Sequence, residues 1–241
     1  MSRSPGVPFG DLLSRAGPAA ESAPALPGRA ARGRENMSHR VAGARFRYRR
    51  GLFSPGRNDV ALGSTVYTFQ ITLNDADRGV YEALEFRVAR HPSETEEFLL
   101  ARTLAYCLEY GEGLAFSSGL SDPDAPALAV RDLTGALQSW IEICLPEPAR
   151  LHKATKAAKR VVVYSHKEVA TLLARVAAER VHRAADIEVY EFDRDFLEQL
   201  RSRLARRMRF DLAVTDRQLY LSIGADTLIG SVTLHHPDLS A

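Results

Sequence analysis

The chain has 241 residues, 45% of them hydrophobic and 26% charged, which is the composition of an ordinary globular protein long enough for one large domain or two small ones. Its formal net charge of +2 is unevenly spread, because residues 1–59 hold 11 arginines against four acidic residues, whereas residues 60–241 hold 21 basic and 26 acidic residues. The mildly acidic body argues against a broad nucleic-acid-binding surface, and no apolar run approaches the roughly 20 residues of a membrane helix.

The N-terminal residues 1–59 are rich in Ala, Gly, Pro, Ser and Arg and show no lasting apolar periodicity. Such a segment cannot bury enough surface to offset its ordering entropy, so we expect it to be disordered. Three explanations are open: a basic tail that touches nucleic acid, an Arg-rich targeting peptide, or an upstream start site. We favour the third, with the true start near Val60, because organised sequence begins abruptly at Ala61 and residues 60–241 then form one domain.

A β-hairpin and a helix follow. Alternating apolar residues predict strands around residues 65–73 and 81–89, joined by a polar turn at 74–79. Ser93 as N-cap and Glu96 three residues later predict a helix that ends near Tyr110. Glu94 lies inward at the helix start, where an acid complements the helix dipole by roughly 0.3–1 kcal/mol. Arg102 lies near the same face and could be the partner of a buried acid.

Two paired strands, 127–133 and 137–145, carry the acids Asp132 and Glu142. Strand alternation places Trp140, Glu142 and Cys144 on one face of the second strand. Acids are rarely buried without a partner, so Glu142 either binds a metal ion or a cationic group, or is the solvated glutamate of a half-exposed strand. This stretch alone favours the solvated glutamate.

The second half of the chain alternates helices and strands before three final strands. A basic helix over 147–159 carries Lys153 and Lys156 on one face. The order of elements predicts a mixed-sheet α/β domain with helices on its faces, in which the strands at 161–164 and 187–192 are parallel. The later predicted elements are helices at 167–182 and 193–207 and strands at 208–215, 218–223 and 227–234.

The two cysteines, Cys107 and Cys144, lie in a predicted helix and a predicted strand. They do not make a disulfide framework and read as small buried hydrophobes. A reducing, cytoplasmic setting fits this usage.

One constellation could carry chemistry: Glu94, Asp132 and Glu142 together with Lys153 or Lys156. Carboxylates hold Mg²⁺ or Mn²⁺, which prefer hard oxygen ligands. The metal lowers the pKa of a bound water, and a lysine orients that water or stabilises the anionic transition state. Three acids and a lysine are therefore what metal-assisted phosphodiester hydrolysis needs, although the spacing of Asp132 and Glu142 is weak evidence by itself.

Several motifs resemble the YaeQ family, bacterial proteins with a variant of the PD-(D/E)XK nuclease fold. The resemblance covers about residues 60–240 and implies a restriction-endonuclease-like architecture, while YaeQ proteins have no settled activity. The motifs are His91-Pro-Ser-Glu-Thr95, Asp132-Leu-Thr-Gly135, Trp140-Ile-Glu-Ile-Cys-Leu-Pro146 and Lys153-Ala154.

The resemblance implies roles by position: Glu94 as the helix acid, Asp132 as the first strand acid and Glu142 as the acid of the core motif. The lysine expected two residues after Glu142 is Cys144, where YaeQ proteins usually have glycine. Neither residue supplies a cation. Lys153, in the family's Lys-Ala pair, is the candidate replacement.

Two functional hypotheses remain open. In the first, the protein is a Mg²⁺- or Mn²⁺-dependent nuclease with Glu142 and Lys153 as catalytic residues. Its metal ligands are Glu94, Asp132 and Glu142, with Arg102 positioning a phosphate or an acid. In the second, the fold binds nucleic acid or a protein partner without turnover, through the basic stretches 150–160 and 201–209. The second hypothesis predicts that Arg102 and Lys153 neutralise the acids in internal salt bridges.

Overall fold

The computed structural model describes residues 63–117 and 124–237, all within one compact unit, Arg57–Ala241. The expectations of a disordered extension over residues 1–59 and of a start near Val60 lie outside the described residues. No helix in the described ranges is long and apolar enough to cross a membrane.

The described residues form ten strands and four α-helices, which confirms a mixed α/β fold. A short 3-10 turn, Ala184–Asp186, precedes the seventh strand. In chain order the elements are β1 (Thr65–Asp75), β2 (Val80–Arg90), α1 (Glu96–Leu108), β3 (Leu114–Phe116), β4 (Leu128–Arg131), β5 (Leu137–Ile143), α2 (Pro148–Ala157), β6 (Arg160–Ser165), α3 (Ala170–Ala178), β7 (Ile187–Phe192), α4 (Arg194–Arg201), β8 (Arg207–Thr215), β9 (Gln218–Ile223) and β10 (Asp226–His235).

All ten strands join one sheet in the order β2-β1-β8-β9-β10-β7-β6-β5-β4-β3. The predicted hairpin of β1 and β2 is present, and β6 and β7 are parallel as expected. Two further pairs, β1 with β8 and β5 with β6, are also parallel. The restriction-endonuclease-like class of this α/β fold stays a prediction.

Two apolar clusters lie on opposite faces of the sheet. One contains the buried residues of α1 and α4 together with Ile141 and Ile143 of β5. The other contains the buried residues of α2 and α3 together with Trp140 of β5. Because side chains alternate along a strand, Glu142 shares the face of Trp140 and points towards α2 and α3.

The five strands β2, β1, β8, β9 and β10 bury only one face. On β1 the residues Tyr67, Phe69, Ile71 and Leu73 are buried, and the intervening residues point outward. On the buried face α4 lies close to β10, since a Cβ at Gly230 would come within 2.4 Å of the Phe196 ring. The outward face of these strands carries exposed side chains.

The start of α1 differs from the prediction. Thr95 is the N-cap and its Oγ1 accepts a hydrogen bond from Phe98 N at 3.2 Å. Ser93, the predicted cap, instead hydrogen-bonds His91 Nδ1 at 2.7 Å. The shift places Glu94 before the helix rather than in its first turn. The helices α3 and α4 are also shorter than predicted, and β4 ends before Asp132.

Candidate functional site

Glu94 and Arg102 form a closed, buried ion pair beside α1. Arg102 donates from Nη1 to Glu94 Oε1 at 3.1 Å and from Nη2 to Oε2 at 3.2 Å. A third bond, from Nη2 to Ala89 O at 2.9 Å, ties the pair to β2. Burial lowers the pKa of Arg102, and the charge of Glu94 opposes that shift. The inference that Arg102 is the partner of a buried acid is confirmed.

Glu142 is also buried and paired, on the other face of the sheet, so the solvated glutamate expected from this stretch alone is wrong. Its Oε1 accepts hydrogen bonds from the indole N–H of Trp140 and from Arg150 Nε, the latter at 2.7 Å. The Arg150 guanidinium also lies over the Trp140 ring, 5.7 Å from its centroid. Burial raises the pKa of Glu142, while the bond from Trp140 and the charge of Arg150 act to lower it.

A second ion pair lies next to Glu142. Lys153 Nζ lies 2.5 Å from Asp124 Oδ1, and Arg150 donates from Nη2 to Ala125 O at 2.7 Å. Arg150 and Lys153 are three residues apart on α2 and so share a helix face. The pKa of Asp124 is lowered by the hydrogen bond and the charge of Lys153 and by the charge of Arg150. We call these four residues, Asp124, Glu142, Arg150 and Lys153, the carboxylate–cation cluster.

Asp132 lies in the turn between β4 and β5, where its carboxylate holds the turn together. Oδ1 accepts bonds from Thr134 N at 2.9 Å, Thr134 Oγ1 at 2.6 Å and Ala136 N at 3.0 Å. These bonds, led by the Thr134 hydroxyl, lower the pKa of Asp132. An exposed acid that caps its own turn has a complete structural role without a ligand.

The structure does not bring Glu94, Asp132 and Glu142 together. In the hairpin, Arg131 pairs with Leu137 while Leu128 pairs with Ile141. Asp132 and Glu142 therefore lie at opposite ends of β5, about 16 Å apart along the strand. Glu94 precedes α1, on the opposite face of the sheet from Glu142. Within residues 63–117 and 124–237 no three His, Cys, Asp or Glu side chains are grouped closely enough to hold a metal ion.

The lysine candidates have different positions from those expected. Lys153 pairs with Asp124, and Arg150 is the cation on Glu142. Lys156 is exposed on α2. Arg102 is engaged with Glu94 and does not lie at the carboxylate–cation cluster.

Sequence reasoning missed Asp124 and Arg150, although both left a signal. Asp124 comes shortly before β4, and antiparallel pairing places the start of β4 beside the end of β5, where Glu142 lies. Arg150 lies in the first turn of the helix that follows β5. Strand pairing thus pointed to Asp124 rather than Asp132 as the neighbour of Glu142.

Cys144 follows β5 in an unusual backbone conformation. Its φ of 74° lies in the left-handed region, which glycine adopts freely and other residues adopt at a cost. Its Sγ lies 4.0 Å from His166 Nε2. The resemblance to YaeQ proteins implies glycine at this position, and this backbone conformation gives the physical reason.

A cavity of about 450 Å³ lies away from the carboxylate–cation cluster. Arg160 lines it and is bound by Glu109 at 2.5 and 3.1 Å and by Glu188 at 2.7 Å. None of the predicted site residues lines this cavity.

Comparison with known proteins gives consistent matches. The family model described as YaeQ protein matches residues 60–231. The uncharacterized protein YaeQ of Salmonella typhi is 29% identical over 170 residues, covering 70% of this chain and 94% of the relative. That of Escherichia coli K12 is 27% identical over 175 residues, covering 72% and 97%.

Two crystal structures of YaeQ proteins resemble the described fold, each at 30% sequence identity. The protein from Xanthomonas axonopodis pv. citri aligns with a TM-score of 0.66 over 73% of this chain and 99% of its own. The protein from Pseudomonas syringae aligns with a TM-score of 0.67 over 73% and 98%.

Proposed function

We propose that this chain, which belongs to the YaeQ family, is a nucleic-acid-binding protein with a nuclease-like fold. Its acids are neutralised internally, and it does not hydrolyse its ligand. The supports for this proposal are the pairing of the acids and the cations exposed nearby.

The observation that carries the proposal is the bond from Arg150 to Glu142. A metal ion on Glu142 would have to displace a guanidinium that lies 2.7 Å away. Breaking a buried pair by removing one partner costs about 3–5 kcal/mol, because the remaining charge is left without compensation. Asp124 is paired with Lys153, although this second pair is exposed. The cluster therefore balances its two carboxylates with two cations of the chain itself.

Nucleic acid is the proposed ligand because cations extend beyond the cluster along α2. Lys156 on α2 and Lys159 just after it continue the three-residue spacing that begins at Lys153, and both are exposed. Phosphate groups bind such cations with release of counterions. The body of the chain has a small excess of acidic residues, so such binding would be local and weakened strongly by salt.

A second candidate is a Mg²⁺- or Mn²⁺-dependent phosphodiesterase at the same cluster. One observation favours it: Asp124 and Glu142 flank Arg150, and Lys153 lies three residues further along the same helix, α2. Two carboxylates and a lysine are the groups that metal-assisted hydrolysis uses. In this hypothesis the ion would take the place of Arg150 between the acids.

Calorimetric titration of Mn²⁺ into the full chain distinguishes the two candidates. The variants are Asp124→Asn and Glu142→Gln, with Asp132→Asn as a matched control about 16 Å from Glu142. We expect no saturable binding in the millimolar range and no cleavage of oligonucleotides. Saturable binding that both cluster variants lose and Asp132→Asn keeps, together with cleavage, would establish the phosphodiesterase instead.

Nucleic-acid binding itself is measured by fluorescence anisotropy with a labelled oligonucleotide of about 20 nucleotides, long enough to span one site. We expect binding at low salt that weakens as salt rises. Absence of binding at the lowest salt would overturn the proposed function.

A further inference from the structure

The outward face of β2, β1, β8, β9 and β10 has no role in the proposed function. We call it the open sheet face. On β1 its residues include Gln70, Thr72 and Asn74, which are exposed and uncharged. The side chains between them are buried under α1 and α4. These polar side chains can hydrogen-bond a partner.

Three arginines gather at one end of the open sheet face. Thr68 of β1 pairs with Arg87 of β2 on one side and with Arg207 of β8 on the other. Two residues further along β1, Gln70 pairs with Arg209. Neighbouring strands lie about 4.8 Å apart, so Arg87 and Arg207 flank Thr68 at about 10 Å from each other. All three arginines are exposed.

These arginines differ from others in the basic stretch 201–209. Arg201 is bound by Glu97 and Glu198, and Arg203 lies 3.5 Å from Asp226. Within the described part of the chain, by contrast, Arg87, Arg207 and Arg209 make no ion pair. The acids on the same face, Glu85 and Asp211, are likewise outside ion-pair distance of them. The arginines are therefore available to an anionic partner.

Exposed aromatic side chains lie at the other end of the face. One cross-strand row runs Tyr81, Asn74, Ala213, Tyr220 and Ile229. Tyr81 is 65% exposed and Tyr220 is 41% exposed. The row lies six residues along β1 from Thr68, or about 20 Å. Exposed tyrosines on a sheet are platforms on which bases stack.

We propose that the open sheet face binds single-stranded nucleic acid, with phosphates on Arg87, Arg207 and Arg209 and bases stacked on Tyr81 and Tyr220. The inference rests on the proposed function, adds the open sheet face to the binding surface proposed on α2, and names single strands as the ligand class. A single strand fits because stacking on a tyrosine needs an unpaired base. Guanidinium groups suit phosphate because their planar fork donates two hydrogen bonds at once.

The test is fluorescence anisotropy of the full chain with a single-stranded oligonucleotide of about 20 nucleotides and with its duplex. The variants are Arg207→Gln combined with Arg209→Gln, and Tyr220→Ser. Arg203→Gln is the matched control in the same stretch, and Lys153→Gln with Lys156→Gln tests α2.

We expect the double arginine variant to bind about tenfold more weakly and to lower the salt slope by about 1.4, which is two phosphate contacts on a single strand. Tyr220→Ser should lose at least about fivefold, Arg203→Gln should change little, and the duplex should bind more weakly than the single strand. Wild-type binding that only the α2 variant weakens, or equal binding of duplex, would overturn the inference and leave the proposed function standing. If the wild type binds no nucleic acid at all, both fail.

Discussion

Arg150 and Glu142 come together across the boundary between β5 and α2, with Arg150 Nε 2.7 Å from Glu142 Oε1 and the Trp140 indole N–H on the same oxygen. The carboxylate side chain is 7% exposed and the guanidinium side chain 28%. A metal ion on Glu142 would have to displace the Arg150 guanidinium. Because the pair is largely buried, its loss should also change the stability of the fold.

Replacing Arg150 with Leu should lower the free energy of unfolding by about 3 kcal/mol, because Glu142 would remain buried without its cation. Urea unfolding monitored by circular dichroism measures the change. Lys153→Gln is the control, since its partner Asp124 is largely exposed and an ion pair in water contributes little to stability. Equal effects of the two substitutions would contradict the buried pair.

The pKa of Glu142 predicts a pH dependence of stability. Burial raises this pKa above the ordinary value of 4.5, against the effects of Trp140 and Arg150. The folded state therefore binds the proton more tightly than the unfolded chain, so protonation of Glu142 stabilises the fold. Relative to that of Glu142→Gln, the free energy of unfolding of the wild type should rise as the pH falls from neutrality through the raised pKa of Glu142.

Asp132 supplies a control of opposite sign, because hydrogen bonds led by Thr134 hold its pKa below the ordinary value. Relative to Asp132→Asn, the wild type should lose stability as the pH falls. Urea unfolding at a series of pH values measures both differences. If both stability differences change with pH in the same direction, the pKa of Glu142 and the pKa of Asp132 are not shifted in opposite directions.

The Glu94–Arg102 pair should behave as one unit. Arg102→Met leaves a buried carboxylate unpaired and should cost about 3–5 kcal/mol, whereas Glu94→Gln with Arg102→Met should recover part of that loss. A double-mutant cycle by urea unfolding measures the coupling. Arg87→Met, an exposed arginine on β2, should change stability by no more than about 0.5 kcal/mol. Additive effects at residues 94 and 102 would argue against the pair.

The backbone at Cys144 predicts that glycine is preferred there. Cys144→Gly should be more stable than Cys144→Ala by about 1 kcal/mol, because both remove the thiol but only glycine adopts a φ of 74° without a steric cost. Thermal unfolding of the two variants compares them directly. If Cys144→Ala proves equal or superior, the left-handed conformation is not a source of strain.

Local patterns were sufficient for much of the fold. Alternation over residues 65–90 predicted the β1–β2 hairpin, and the order of elements predicted that the strands at 161–164 and 187–192 are parallel. The predicted N-cap of α1, Ser93, was wrong because Ser93 and Thr95 are both residue types favoured at an N-cap. Ser93 bonds to His91 instead, and Glu94 is drawn into the pair with Arg102.

The sequence by itself determined most of the strands and the helix that carries Arg102, because side-chain alternation and helix periodicity act over a few residues. Its motifs also indicated the family. Only the tertiary structure decided which acid meets which cation. Asp124 and Lys153 are 29 residues apart in sequence and 2.5 Å apart in space. Such contacts depend on strand register and on how α2 packs against the sheet. The sequence motif predicted Asp132 as the acidic neighbour of Glu142, whereas the pairing of β4 with β5 brings Asp124 there instead.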